Sequence, residues 1–470
     1  MSTGLVWLRR DLRLEDNTAL GRAAAACDRV YVCFVFDREI LDHLEDRDDR
    51  RVDFIHQCVT EVEDALEAAG SRLIVRHGAA SEVIPALANE LNVNVVFASH
   101  DYEPARRKRD DRVRRALAGQ GRRLETTKDH VVFEENEILT AAGRPFQVYT
   151  PYRNAWRGKL TEDDISERSS RTDLKRLAMP PACVKSDAWG LGDLGFVKSD
   201  LKWTGGTKAG RKTLDAFLAR IGEYGSARDF PAQRGVSFLS PHLRFGTISV
   251  RHALRAARDV GATGAEKWID ELIWREFYNM VLHHFPHTQT EPIRRNYATL
   301  PWRRERGMFD AWCEGRTGYP FVDAGMRQLN ATGYMHNRLR MVTASFLTKH
   351  LLIDWRWGER YFARRLLDYD LSQNVGGWQW AASIGLDAQP YFRIFNPVAQ
   401  SQRFDPDGAF IREHVPELAG FDDRLIHEPW KASAAIQSAA RCRIGREYPA
   451  PLVDHAAARR AALEFFQSAR

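Results

Sequence analysis

Over the first 130 residues short apolar runs alternate with amphipathic stretches. GLVWL at 4–8, VYVCFVF at 30–36, RLIVR at 72–76 and VNVVFAS at 93–99 are apolar on both faces, as buried parallel strands require. Between the second and third, residues 49–69 place Val52, Ile55, Val59, Val62 and Leu66 at helical spacing, with Gly70 as a C-terminal cap. Strand, helix, strand, helix predicts a Rossmann-like α/β domain over 1–130, with a parallel sheet and right-handed crossovers. Across 131–203 the periodicity fades among Pro145, Pro151, Pro180 and Pro181, and TEDDISERSSRTD at 161–173 reads as solvated, so this stretch is expected to be a long linker. From 204 to 470 the pattern is helical. WIDELIWREFYNMVLHHF at 268–285 and residues 334–352 are the clearest helices, Gly333 breaking the chain before the second. The predicted fold class is α/β plus all-α, with the chemistry in the helical domain.

Composition narrows the class. A 470-residue chain with 44% hydrophobic and 28% charged residues exceeds one ordinary core and is neither disordered nor membrane-embedded. No run approaches the ~20 apolar residues of a spanning helix, and MSTGLVWLRRDLRLEDN does not read as a secretory signal, so a cytoplasmic protein is expected. Six cysteines without a CxxC pair or a histidine at ligand spacing predict reduced thiols and no metal. Lys and Arg outnumber Asp and Glu by 69 to 63, which by itself describes many enzymes. The thirteen tryptophans tilt this balance toward nucleic acid, because most lie in the second half among arginines, where indoles stack on unstacked bases. Many of them must also serve the core.

Four segments carry candidate chemistry. In VSFLSPHLRFG at 236–246 two hydroxyls flank an apolar pair and Pro241 starts a helix, a phosphate seat or simply a capped helix. In WIDELIWREFY, Glu271, Trp274 and Tyr278 share a face, where a carboxylate beside an indole could hydrogen-bond and stack a base; amphipathic core is the commoner meaning. In NATGYMHNRLRM, Asn337 and Met341 lie one turn apart beside Arg340, while His336 is more simply structural. DYDLSQNVGGWQWAASIGLD is the strongest: Asp368, Asp370 and Asn374 precede Gly376 and Gly377 and then Trp378 and Trp380. Carboxylates there would be costly in a core unless paired.

At these segments the sequence resembles the photolyase/cryptochrome family, and within it the bacterial class I cyclobutane pyrimidine dimer photolyases. The likeness runs nearly end to end, through LVWLRRDLRLEDN, DYEPARRKRD, PYRNAW, YGSARDFP, ELIWREFY, HNRLRM, GGWQWAAS and FRIFNP. It implies a folded-back FAD in the helical domain. By matching motifs, Tyr224, Ser237, Leu239 and Ser240 would hold its phosphates, with Val236 standing where the family commonly has threonine. Arg340 would pair with Asp368 beside the isoalloxazine, Asp370 would bind the flavin edge, and Asn374, the residue type of DNA-repairing members, would face N5. Trp302, Trp355 and Trp378 match the family's electron relay; each could simply be a core tryptophan, but all three fall in matching contexts, which favours the relay.

The resemblance also implies the substrate: a pyrimidine dimer flipped out of damaged DNA, at a cost of a few kcal/mol. Trp274 and Trp380 would stack on it, Glu271 and Asn337 would stabilise its radical anion, Met341 would line the cavity, and Arg338 would grip a phosphate. The (6-4) photolyases carry two histidines near the Asn337 and Met341 positions, which favours cyclobutane dimers here. An antenna pigment is expected, a methenyl-folate ahead of a deazaflavin, with His43 and Glu103 as contacts. A monomer is expected. The rivals are a cryptochrome-like photosensor, a non-enzymatic nucleic-acid-binding module and a flavin electron-transfer protein.

Overall fold

The computed structural model describes residues 2–169 and 173–468, so part of the polar run at 161–173 lies outside the described residues. The chain forms two compact units. One comprises Met1–Pro145, Thr150–Gly222 and Ser237–His284; the other comprises Phe146–Tyr149, Glu223–Val236 and Phe285–Arg470.

The first unit is built on five parallel strands, β1 (Thr3–Leu8), β2 (Arg29–Asp37), β3 (Leu73–Gly78), β4 (Val95–Ser99) and β5 (Arg123–Thr127), in the order β3-β2-β1-β4-β5. The first four match the apolar runs. The fifth, RLETT, carries no apolar run: Leu124 is its one apolar residue, so periodicity gives no strand signal there. Helices α1 (Thr18–Ala26), α2 (Arg50–Ala68), α3 (Ala80–Glu90) and α4 (Pro104–Ala118) link the strands. Leu5, Trp7, Cys33, Ile74 and Ala98 pack against Ile84 and Leu87 of α3 and Val113 and Leu117 of α4. Asp49 caps α2 by accepting from the Arg51 N–H, and Gly70 follows its end at φ 77°, a left-handed conformation that suits glycine.

The sheet order reverses at β1, and the chain leaving that strand is tied down by buried ion pairs. Asp129 is met by Arg13 at 2.6 Å and by Arg251 of α7 (Val250–Val260, after the short helix α6, Ser240–Phe245) at 2.9 Å, and Arg251 also reaches Asp16 at 2.9 Å. Burial alone would raise the Asp129 pKa, but the two guanidiniums outweigh it and hold the carboxyl below its usual range.

Residues 149–159, inside the expected linker, form the helix α5 (Tyr149–Lys159). Its Trp156 donates Nε1–H to Glu276 at 2.6 Å, on α8 (Thr263–His284); the Glu276 carboxylate also accepts from the N–H groups of Val132 and Phe133. These bonds show why periodicity fades there without the chain being loose. Its order comes from this buried carboxylate together with the buried aromatic stripe of Tyr149, Tyr152 and Trp156.

The second unit packs α9 (Arg306–Cys313), α10 (Pro320–Thr332), α11 (Asn337–Ser345), α12 (Trp355–Arg365), α13 (Leu371–Ala381), α14 (Pro397–Phe404) and α15 (His455–Gln467). Trp312, Phe346, Trp355, Phe362 and Trp378 lie in its core. The helix expected over 334–352 is shorter and divided. Gly333, at φ 71°, ends α10, and α11 starts only at Asn337, where the His336 ring accepts from the Arg338 N–H. From Phe346 to His350 the chain widens into a π-helical turn. Residues 334–336 lie outside both helices; the Leu367 N–H donates to the Gly333 carbonyl just before them, and Arg340 Nε, five residues on, to that of Met335. No described helix is long and apolar enough to cross a membrane.

Candidate functional site

In the first unit, the hydroxyl segment is a tight turn leading into α6. Phe238, between Ser237 and Leu239, takes the left-handed φ of 56°, and the Leu239 N–H donates to Ser237 Oγ at 3.3 Å. A phenylalanine rarely adopts such a backbone, and strain of this kind concentrates at functional sites. Ser240 begins the helix with Pro241 directly after it. On α8, Glu271, Trp274 and Tyr278 are all half-buried on one face, the Trp274 and Tyr278 rings 5.6 Å apart. The two residues expected at the antenna differ sharply. His43 is exposed, whereas Glu103 is buried, accepting from Arg244 at 3.1 Å and Arg10 at 3.4 Å with Arg106 at 3.7 Å.

In the second unit the predicted charged residues converge. Arg340 donates Nη2–H to Asp368 Oδ2 at 2.7 Å while its Nε holds the Met335 carbonyl. Asp368 is buried, and its second oxygen, Oδ1, has no partner among the described residues. Asp370 caps α13, its Oδ1 accepting from the N–H and the hydroxyl of Ser372. One turn on, Asn374 is buried and donates Nδ2–H to the carbonyl of Glu359 at 3.0 Å and to its Oε1 at 2.9 Å. Both amide hydrogens are thereby taken, which fixes the amide and leaves its oxygen as the group on offer. Burial pushes the Glu359 carboxyl above its usual range, and the Asn374 bond opposes that rise.

The remaining predicted residues of this unit vary in exposure. Tyr224 is buried beneath the Arg228 guanidinium, 5.3 Å from its ring centre. Asn337 is exposed, Met341 and Trp380 are half-buried, and Trp355 and Trp378 are buried. The Nε1 groups of both buried indoles have no partner among the described residues. Trp378 contacts Phe362 at 5.0 Å and Trp312 at 6.0 Å between ring centres, while Trp302 packs on Phe465 and Phe466 of α15 at 5.0 and 6.1 Å. Arg338 is engaged by Asp229, with 2.7 Å between Nη2 and Oδ1.

Comparison with known proteins places this architecture. The sequence profile of the FAD binding domain of DNA photolyase matches residues 268–468, and that of DNA photolyase matches residues 4–171. The deoxyribodipyrimidine photo-lyase of Alkalihalophilus pseudofirmus is 40% identical over 98% of this chain and 97% of its own length. This chain belongs to the DNA photolyase family. Among solved structures, a bacterial class III photolyase from Agrobacterium tumefaciens superposes with a TM-score of 0.92 at 33% identity, covering 100% of this chain and 98% of that one. A cryptochrome from Synechocystis gives 0.90 at 28% identity, covering 99% of each.

The second unit's residues fit the cofactor named in the family description. A buried carboxylate oxygen without a partner among the described residues, held beside a guanidinium, is costly unless something donates to it, and an amide whose nitrogen is committed leaves its oxygen to accept. A flavin edge, which both donates and accepts, answers both. Sequence reasoning missed Glu359, Glu276 and Asp229. The signal for Glu359 was present: it lies four residues after Trp355 and three before Phe362, on the buried stripe of α12, where an unpaired carboxylate would be costly.

Proposed function

We propose that this chain repairs cyclobutane pyrimidine dimers in DNA, using light, as a deoxyribodipyrimidine photo-lyase. FAD, when bound and reduced, supplies the light-excited electron that splits the cyclobutane ring and then returns. The observation that carries this reading is the pinned Asn374 amide together with the Arg340–Asp368 pair, within a chain 40% identical along nearly its whole length to a photo-lyase.

The chain's own residues bind, orient and polarise. Tyr224, Ser237, Leu239 and Ser240 hold the cofactor's phosphates; Val236 contributes no hydroxyl, so backbone N–H groups carry that share. Asp368 and Asp370 accept from the ring edge, Arg340 sets the charge beside it, and the Asn374 oxygen faces N5. Trp274 and Trp380 stack on the flipped-out dimer, Met341 lines its cavity, and Glu271 with Asn337 hydrogen-bonds its carbonyl edge, where charge develops. Arg338 grips a neighbouring phosphate. Trp302, Trp355 and Trp378 carry electrons inward when the cofactor is oxidised. Residues 204–470 hold FAD and DNA, and 1–130 hold an antenna, a methenyl-folate before a deazaflavin, with Glu103 and His43 as contacts. The protein works as a cytoplasmic monomer.

The test is direct. Purified protein with bound, chemically reduced FAD is mixed with ultraviolet-irradiated oligonucleotide and exposed to blue light. Loss of dimers in light but not in darkness is expected; dimers persisting under illumination with FAD fully bound would remove the repair reading.

A further inference from the structure

Arg338 is not waiting in solvent for a phosphate. Its guanidinium lies over the Phe404 ring, 4.1 Å from the ring centre, and its Nη2 is held by Asp229 at 2.7 Å. Its Nε is buried and has no acceptor among the described residues. A second guanidinium, that of Arg403, sits 5.1 Å from the same ring centre. The nearest carboxylate in sequence, Asp405, is spent on the N–H groups of Phe410 and Ile411. Two cations thus share one aromatic ring, and Asp229 is the carboxylate bonded to Arg338.

The two partners of this pair are not equally anchored. The Arg338 side chain is 16% exposed, pinned by the ring and by the start of α11, where its N–H donates to His336. The Asp229 side chain is 36% exposed. If the pair opens, the carboxylate is the partner that can swing into water, leaving the guanidinium in place with both Nη2 and Nε free for a tetrahedral anion.

We propose that Asp229 is a surrogate anion: it holds Arg338 in its phosphate-binding position, and a DNA backbone phosphate must displace it. This rests on the repair reading above and adds to it a residue that sets how readily DNA is taken up. Partly exposed ion pairs are worth little, so removing the carboxylate should tighten DNA binding about two- to fivefold. A phosphate contact through Arg338 is required for the gain, because a general change of charge would act without it.

The experiment measures dissociation constants in the dark, at one fixed salt concentration, for flavin-loaded wild type, Asp229→Asn, Arg338→Gln and the double variant. The ligands are one duplex oligonucleotide with and without a cyclobutane dimer, and Asp229→Ser stands in if Asp229→Asn loses its flavin spectrum. Displacement predicts tighter binding of the dimer-containing DNA by Asp229→Asn, and no gain from the same change in the Arg338→Gln background. Unchanged or weaker binding by Asp229→Asn, or a gain that survives in the Arg338→Gln background, overturns the proposal. Wild type that fails to prefer the dimer overturns the repair reading itself, a separate and distinguishable result.

Discussion

Gly358 offers a sharp test of how the core around Trp378 is built. It lies in α12, and a Cβ placed on it would come within 2.0 Å of Trp378 Cη2 and 2.6 Å of Leu347 Cδ2. Carbon atoms pack at about 3.5–4.0 Å, so an alanine requires the indole to retreat by roughly 1.5 Å. Trp378 has little room to do so, being 2% exposed and set edge-on to Phe362 and Trp312. Overpacking of this kind costs about 1–3 kcal/mol, offset by up to about 1 kcal/mol from the better helix propensity of alanine. Gly358→Ala should therefore lose about 1–2 kcal/mol and melt a few degrees lower. Gly158, exposed in α5 with open space around its Cβ, is the control: Gly158→Ala should be neutral or slightly stabilising. The assay is thermal unfolding by circular dichroism beside tryptophan emission, since a shifted indole changes its surroundings. If Gly358→Ala melts at or above the wild-type temperature with unaltered emission, the close approach of Trp378 is wrong.

Four further outcomes are expected. Burial raises the Glu276 pKa from 4.5 to about 6 against the pull of Trp156, Val132 and Phe133. Its folded value thus exceeds its unfolded one, and its contribution, complete below about pH 4.5, is lost by about pH 6, some 2 kcal/mol in all; Glu276→Gln should flatten that part of a urea-derived stability profile. Arg251→Met leaves Asp16 and Asp129 short of a partner and should destabilise by about 3–5 kcal/mol in denaturant titration, so a loss under 1 kcal/mol would reject the buried network as a tie. Trp302→Phe should slow photoreduction of oxidised flavin while sparing repair by chemically reduced protein; unaltered photoreduction would count against the relay. Glu271→Ala should lower dimers repaired per absorbed photon by about tenfold or more, beyond any loss of DNA affinity, and a fall in affinity alone would refute its electrostatic role.

The amino-acid order by itself determined the parts whose physics is local. Four strands were legible because both of their faces are buried, and α2 because its apolar spacing and its caps agree. The family was legible because strings such as HNRLRM and GGWQWAAS are long and specific. Tertiary structure decided what depends on distant partners. β5 exists because β4 offers it an edge, and α5 is anchored by a carboxylate on α8 more than 100 residues away. The helix expected from 334 begins at 337, and the Gly333 carbonyl before it is claimed by the distant Leu367 N–H. Likewise, Asn374 was visible as a candidate, but only the fold shows that Glu359 takes both of its amide hydrogens. Periodicity reports which face of an element is buried. It does not report which buried polar group meets which, because that pairing is set by the packing of segments that the sequence keeps apart.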